Sequence, residues 1–346
     1  MDTGRFHIDG RDAYEDYRVF LSEGSVASLL AYPSLKKVDS TDWPEEDGEE
    51  VDLTTPRLDT RNVSLNFVSH DAGLHFGEYG SFVAALSDMG YHDFYFPFME
   101  RTFRLRLTSH PSMEHWRRAD FFTLQFADDF PPCCTVETDE DTGEEIEEDE
   151  KKKYTRPEPQ STITSYDDYE LDGQPLTYYG VRVLEGSLAE VLKSPAVKQN
   201  LLVNGVRLNG AWYDKEWVKF KSKEVKLNCL MRAKDFTEFW KSYEAFLYDL
   251  ARPDGTVVWT GGDVEMPGER LLFVDATSLE YPCYYKGCSS EEFAVMPGKI
   301  WWKFTLTLVF TSFRVGADEF YLAAEHGAFI ITESDDRLID MGTEKQ

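Results

Sequence analysis

Apolar and polar residues alternate with period two along much of this chain. Val63, Leu65 and Phe67 fall on one side of an extended segment and Asn62, Ser64 and Asn66 on the other, and Val225, Leu227 and Cys229 repeat the pattern farther on. Such alternation predicts half-buried strands. FRLRL from Phe103, FFTLQF from Phe121 and KFTLTLVF from Lys303 continue it. Two intervals break the period: YGSFVAALSDMG from Tyr79 and DFTEFWKSYEAFLYDL from Asp235. In the second, Phe236, Phe239, Trp240, Tyr243, Phe246 and Leu247 follow the i, i+3, i+4, i+7 stripe of a helix laid on a sheet. After each helix an aromatic strand is expected, FYFPF from Phe94 and TVVW from Thr256. Hairpin returns through MERTF and TGGDVEMPGERLLF then follow.

The same phrase is written twice. YRVFLSEGSVASLLAYP begins at Tyr17 and YGVRVLEGSLAEVLKSP at Tyr179, sharing Glu23/Glu185, Gly24/Gly186, Ser25/Ser187, Leu30/Leu192 and Pro33/Pro195 at a constant spacing of 162 residues. The Val-x-Leu-Asn of Val63–Asn66 recurs at Val225–Asn228 with the same spacing. An internal duplication follows. The phrase reads as strand, Glu-Gly turn, then a short helix or coil running into a proline stop. Gly24, Pro33, Gly186 and Pro195 are its structural turn positions.

The predicted fold class is mainly β in α+β proportions. It consists of two similar antiparallel β-sandwich or open-barrel domains, each with one packed helix. The first domain is placed at residues 1–130 and the second at 173–316, with a segment at 317–346 beyond it. Between them, residues 131–172 contain an acidic run, three lysines and four prolines with few apolar residues, which predicts a linker or mobile loop. Asp139, Asp141 and Glu144 do not make an EF-hand, since the spacing departs from that loop and no glycine stands at its sixth place.

Composition narrows the function. The chain has 346 residues, 42% hydrophobic and 14% aromatic, enough for two cores. Its formal net charge of −28 repels nucleic acid and anionic membrane surfaces. No membrane span and no basic, apolar leader is evident, so a cytosolic origin is expected. Five cysteines without framework spacing argue for free thiols. His70 and His75, like His110 and His115, are five apart and do not make a zinc motif, and Cys283 and Cys288 have no second pair to complete four ligands. No nucleophile elbow, phosphate loop or dinucleotide fingerprint is present. Catalytic residues, cofactors and metals are therefore all expected to be none. The aromatics of FYFPF, Trp301, Trp302 and WYDKEW from Trp212 could stack on sugars, but bulky aromatics on strands more often make core or subunit interface.

The order of these motifs resembles that of distal tail (Dit-like) proteins of long-tailed bacteriophages. FHIDGRDAYEDYRVFLSEGSVASLL, a proline-and-acid loop, LDTRNVSLNFV, a helix, an aromatic strand and a closing FTLQF resemble their N-terminal tail-tube-like domain. YYGVRVLEGSLAEVLKSPAVKQ through KFTLTLVF resembles that domain again. The resemblance implies a virion structural protein without enzymatic activity, located in the virion tail and assembled in the bacterial host cytoplasm. Its implied partners are copies of itself, as a hexameric ring or a trimeric pseudo-hexamer, together with tail tube and baseplate or tip proteins. DNA would pass through the channel without specific binding, past an acidic or neutral lining. Two other classes stay open: a two-domain carbohydrate or cell-surface binding module, adhesin-like, and behind it a β-rich glycoside hydrolase built on two of the many carboxylates.

Overall fold

The computed structural model describes residues 4–22, 24–70, 75–88, 90–116, 119–130, 153–155, 157–162, 168–198, 205–207, 209–212, 219–252, 255–259 and 262–312. The acidic run expected at 137–150 and the segment 317–346 lie outside the described residues. The strands of the first half are β1 His7–Ile8, β2 Arg11–Asp12, β3 Val19–Leu21, β4 Ser40–Thr41, β5 Glu50–Val51, β6 Arg61–His70, β7 His92–Phe96, β8 Arg101–Trp116 and β9 Ala119–Asp128. Then come β10 Lys153–Thr155, β11 Tyr169–Leu171, β12 Gln174–Pro175, β13 Val181–Val183, β14 Lys223–Ala233, β15 Gly255–Trp259, β16 Gly262–Met266, β17 Arg270–Val274, β18 Leu279–Met296 and β19 Lys299–Phe310. The helices are α1 Ala13–Tyr17, α2 His75–Leu86, α3 Ser187–Leu192 and α4 Phe236–Ala251, with 3-10 turns at Ser25–Leu30 and Leu176–Tyr179.

Two seven-stranded sheets dominate. Their orders are β2-β1-β7-β8-β9-β6-β3 and β12-β11-β17-β18-β19-β14-β13, the same topology written twice. Every pairing within them is antiparallel. The alternating residues fall as their period requires: Val63, Leu65 and Phe67 are buried on β6, and Val225, Leu227 and Cys229 on β14. Each sheet begins with a two-residue hairpin that the sequence reading overlooked. Asp9-Gly10 and Asp172-Gly173 both take positive φ, 49° and 79° in one and 49° and 75° in the other. That is the geometry which favours Asp-Gly between paired strands. Because β11 and β12 belong to the second sheet, the residues from Tyr169 onward are part of the second unit rather than of the linker expected over 131–172.

TVVW was expected to be the second copy's aromatic strand, and the structure corrects this. It forms β15, which pairs with β10 and β16 in a separate three-stranded sheet. The counterpart of β7 is β17, RLLFV, which pairs with β11 and β18 as β7 pairs with β1 and β8. Aromatic and β-branched composition marks a strand without saying which sheet receives it. The β15–β16 hairpin is an insertion between helix and sheet, so the spacing between copies grows after the helix. Helix α2 also starts earlier than the expected Tyr79, at His75.

Side chains that differ in kind repeat one role in the two units. The Arg61 guanidinium bonds the carbonyls of Leu29 and Ala31, and the Lys223 ammonium bonds those of Val191 and Lys193, the matching positions. Arg61 balances its charge on buried Asp128, whereas Lys223 lies 5.8 Å from the ring centre of Phe310, the residue in Asp128's place. Burial lowers the Lys223 pKa. In both units a cation closes the open carbonyls where a helical turn ends.

A buried charge network secures the second unit. Asp172 accepts the Leu271 N–H at 2.9 Å through one oxygen, and Arg252 at 2.8 Å and Arg270 at 3.2 Å through the other. Arg270 is fully buried, and burial lowers its pKa. Arg252 also faces Asp249, which accepts the Tyr179 hydroxyl at 2.5 Å. In the first unit Asp9 accepts the Asp93 N–H at 2.9 Å but has His92 rather than arginines as its side-chain partner, at 2.8 Å, and is itself half exposed. Asp172→Asn would leave two buried guanidinium groups short of a counter-charge, an expected loss of about 3–5 kcal/mol. Asp9→Asn should cost about 1 kcal/mol or less. Thermal melts of the two variants check this; equal losses would refute it.

Candidate assembly interface

Residues 29–35 and 42–50 of the first unit pack against the second unit, and there the chain concentrates its aromatic and polar complementarity. Tyr32 is 2% exposed. Its ring lies 4.4 Å from Tyr243 and 5.2 Å from Trp302, edge-on to the latter. The two tyrosines exchange hydrogen bonds with main chain across the seam: Tyr32 donates to the Tyr243 carbonyl at 3.0 Å, and Tyr243 to the Leu30 carbonyl at 3.1 Å. Burial holds both phenols far above their usual pKa, so they remain neutral donors. Tyr285 donates to the Pro33 carbonyl at 2.9 Å, and the Leu35 N–H to the Lys286 carbonyl at 3.1 Å. Helix α4 completes the seam: Trp240 donates to the Met99 carbonyl at 3.0 Å and Glu244 pairs with Arg101 at 2.7 Å.

Two glycines permit this approach. A Cβ on Gly287, at a bulge of β18, would stand 2.8 Å from the Ser34 hydroxyl oxygen. A Cβ on Gly48 would stand 1.4 Å from the Thr311 carbonyl oxygen, and Gly48 also has φ 78°. Around Gly48 the loop is fastened on several sides. Its N–H donates to the Phe220 carbonyl at 2.8 Å, Asp47 accepts the Phe220 N–H at 2.7 Å, and the Glu49 N–H donates to Thr311 at 3.0 Å. Buried Lys198 donates to the carbonyls of Trp43 and Gly48, both at 2.7 Å, and pairs with Asp42. A cleft of about 370 Å³ remains beside this loop, between Glu46–Val51 and Pro267, Glu269, Pro282 and Thr311.

Of the turn positions singled out in the sequence, Pro33 takes part in this seam. Gly24 and Gly186 open the helical turns with φ 82° and 93°, and a Cβ at either would meet nothing within 4 Å, so backbone conformation alone selects glycine. The serines after them accept the N–H of Asn66 and Asn228, at 3.0 and 2.9 Å. Pro33 is buried at the seam through its carbonyl, while Pro195 is buried in the second unit. Tyr32, Gly48, Lys198 and Gly287 were not singled out; the Asp-Gly pair at Asp47-Gly48 was the available signal for one of them.

Among the described residues no three His, Cys, Asp or Glu side chains converge to hold a metal. His115 instead pairs with Asp120 at 2.5 Å. Burial raises the thiols of Cys283 and Cys288, the latter to about 12, which keeps them protonated rather than nucleophilic. No described helix is long and apolar enough to cross a membrane.

No protein-family model matches the chain, and no curated protein matches it. Among solved structures it is similar to the crystal structure of the SPP1 Dit (gp 19.1) protein, described as a paradigm of the hub adsorption apparatus in phages infecting Gram-positive bacteria. The match covers 88% of this chain and 97% of that chain, with a TM-score of 0.30 and 10% identity. A TM-score of 0.30 carries no conclusion about fold or function.

Tyr32→Ala empties an aromatic site and strands the Tyr243 carbonyl, with an expected cost of about 3–5 kcal/mol. Tyr32→Phe should cost about 1–3 kcal/mol, the share of one buried hydrogen bond. Denaturant unfolding measures both. A Tyr32→Ala chain as stable as the parent would show that the seam contributes nothing to folding.

Proposed function

We propose that the protein is a structural component of a bacteriophage tail, a ring-forming piece of the distal tail or baseplate that connects the tail tube to the tip, and not an enzyme. One observation carries this reading: two units of identical strand order are locked side by side through a buried seam, so the chain is itself the first step of a repeating array. The order of sequence phrases, which resembles distal tail proteins, supplies the biological setting. A closed ring uses the open sheet edges and the inter-unit contact repeatedly. Three chains of two units each would make a pseudo-sixfold ring; six chains would make a ring of one unit, with the other decorating or stacking on it. Tail tube and baseplate proteins are the neighbours this reading requires, and DNA is cargo for the channel rather than a ligand. The net charge of −28 suits a wall that phosphate slides past. The site of action would be the virion tail, assembled in the bacterial host cytoplasm.

A second reading, a glycan- or cell-surface-binding module, is favoured by the exposure of Trp116 and Trp212. It expects saturable glycan binding by a monomer, lost on Trp212→Ala. Mass photometry at micromolar concentration separates the two. A species near roughly six or roughly three times 39.9 kDa supports the ring. A strict monomer that binds glycans overturns it.

A further inference from the structure

The seam within the chain has an unused counterpart. At the 162-residue spacing, the first-unit residues Leu30, Leu35, Lys36, Asp47 and Gly48 correspond to Leu192, Val197, Lys198, Asn209 and Gly210. The backbone confirms the correspondence. Leu35 bridges Leu58 and Val197 bridges Phe220. The Lys36 N–H donates to the Arg57 carbonyl, and the Lys198 N–H to that of Lys219. Where the first unit is covered, the second is bare: Leu30 is 0% exposed and Leu192 56%, while Leu35 is half-buried and Val197 44% exposed, and Gly48 is buried and Gly210 exposed.

The fastening groups are also present and open. Gly210 holds φ 85° as Gly48 holds 78°, yet a Cβ there would meet nothing within 4 Å, where one on Gly48 would strike Thr311. The loop is thus already bent for a partner surface that the chain does not itself supply. Among the described residues the Val197 N–H has no acceptor, whereas the Leu35 N–H has Lys286. On the complementary side, Lys36 is exposed, while its counterpart Lys198 is buried beneath the 42–50 loop. Strand β8 breaks register at Leu107/Ser109 as β18 does at Tyr285/Gly287, which puts Thr108 in the place of Lys286. The close pair also exchanges compatibly. Ser34 against Gly287 becomes Ala196 against Ser109, so the hydroxyl that a Cβ on Gly287 would strike is absent.

We propose that the Val197 edge and the Asn209-Gly210 loop of one molecule dock onto the β8 bulge at Thr108 and onto Lys36 of a second copy of this chain, repeating between molecules the seam formed within each. The proposal rests on the assembly reading above and names its surface. The contact is head-to-tail, so it closes into a ring or continues as a filament according to the rotation between units.

Two measurements on the full chain test it. Val197→Cys and Thr108→Cys are made separately and treated with a short bis-maleimide, alone and mixed, against the unmodified chain as background for its native thiols. A linked dimer is expected only in the mixture, because each variant carries one half of the contact. Lys36→Glu, at an exposed side chain, should leave the folded monomer intact and weaken self-association about tenfold or more. A chain that assembles with no mixture-specific dimer and no effect of Lys36→Glu overturns this surface and leaves the structural role standing. A chain that stays monomeric at every concentration and gives no linked dimer overturns both.

Discussion

The reciprocal bonding of Tyr32 and Tyr243 is the constraint on which the arrangement of the two units depends. Each phenol reaches across the seam to a main-chain carbonyl on the other side, Tyr243 and Leu30 respectively. Both hydroxyls are buried, so a loosened seam would leave two donors and two acceptors without water or partner. The rings add dispersion and edge-to-face contact with Trp302, and the buried apolar side chains of both units form one continuous cluster. The relative placement of the sheets is therefore set by packed, directional contacts. Gly287 and Gly48 follow from it, because main chain comes so close at those points that no side chain fits.

The duplication shows which parts of the fold are backbone requirements and which are replaceable. Left-handed glycines, serine hydroxyls on the Val-x-Leu-Asn strands and a cation under the end of a helical turn are kept in both units. The partner of that cation is not: Asp128 serves Arg61, while a phenylalanine ring faces Lys223. Likewise the Asp-Gly hairpin meets a histidine in one unit and two arginines in the other. A carbonyl needs a donor wherever the turn ends, but the charge on that donor can be balanced in several ways.

This explains what could be read from the sequence and what could not. Strand periodicity located β6, β9, β14 and β19 because their alternation survives at period two, and the apolar stripe located α4. The repeated phrase aligned residues around Gly24 and Gly186 because no insertion interrupts it. The alignment failed beyond the helix, where the β15–β16 hairpin enters one copy and TVVW offers a strand of better composition than the true counterpart of β7. Tyr32 could not be distinguished by pattern: it is one aromatic residue before a proline, and its counterpart is Ser194. Its importance comes from helix α4 and strand β19, more than 200 residues away in sequence, which no local pattern reveals.

Divergence at that position carries a physical consequence for assembly. Within the chain the seam has Tyr32 facing Trp302. In the counterpart contact Ser194 would face Asp120, itself buried and paired with His115. The aromatic share of the seam is thus confined to the contact that forms during folding, where high effective concentration and permanence favour it. The counterpart keeps main-chain donors, a bent glycine loop and a lysine, groups that specify register without a large apolar area. The proposed inter-chain contact would therefore be weaker and geometrically defined, so that a folded monomer would persist in solution and close into an array only with its neighbours in register.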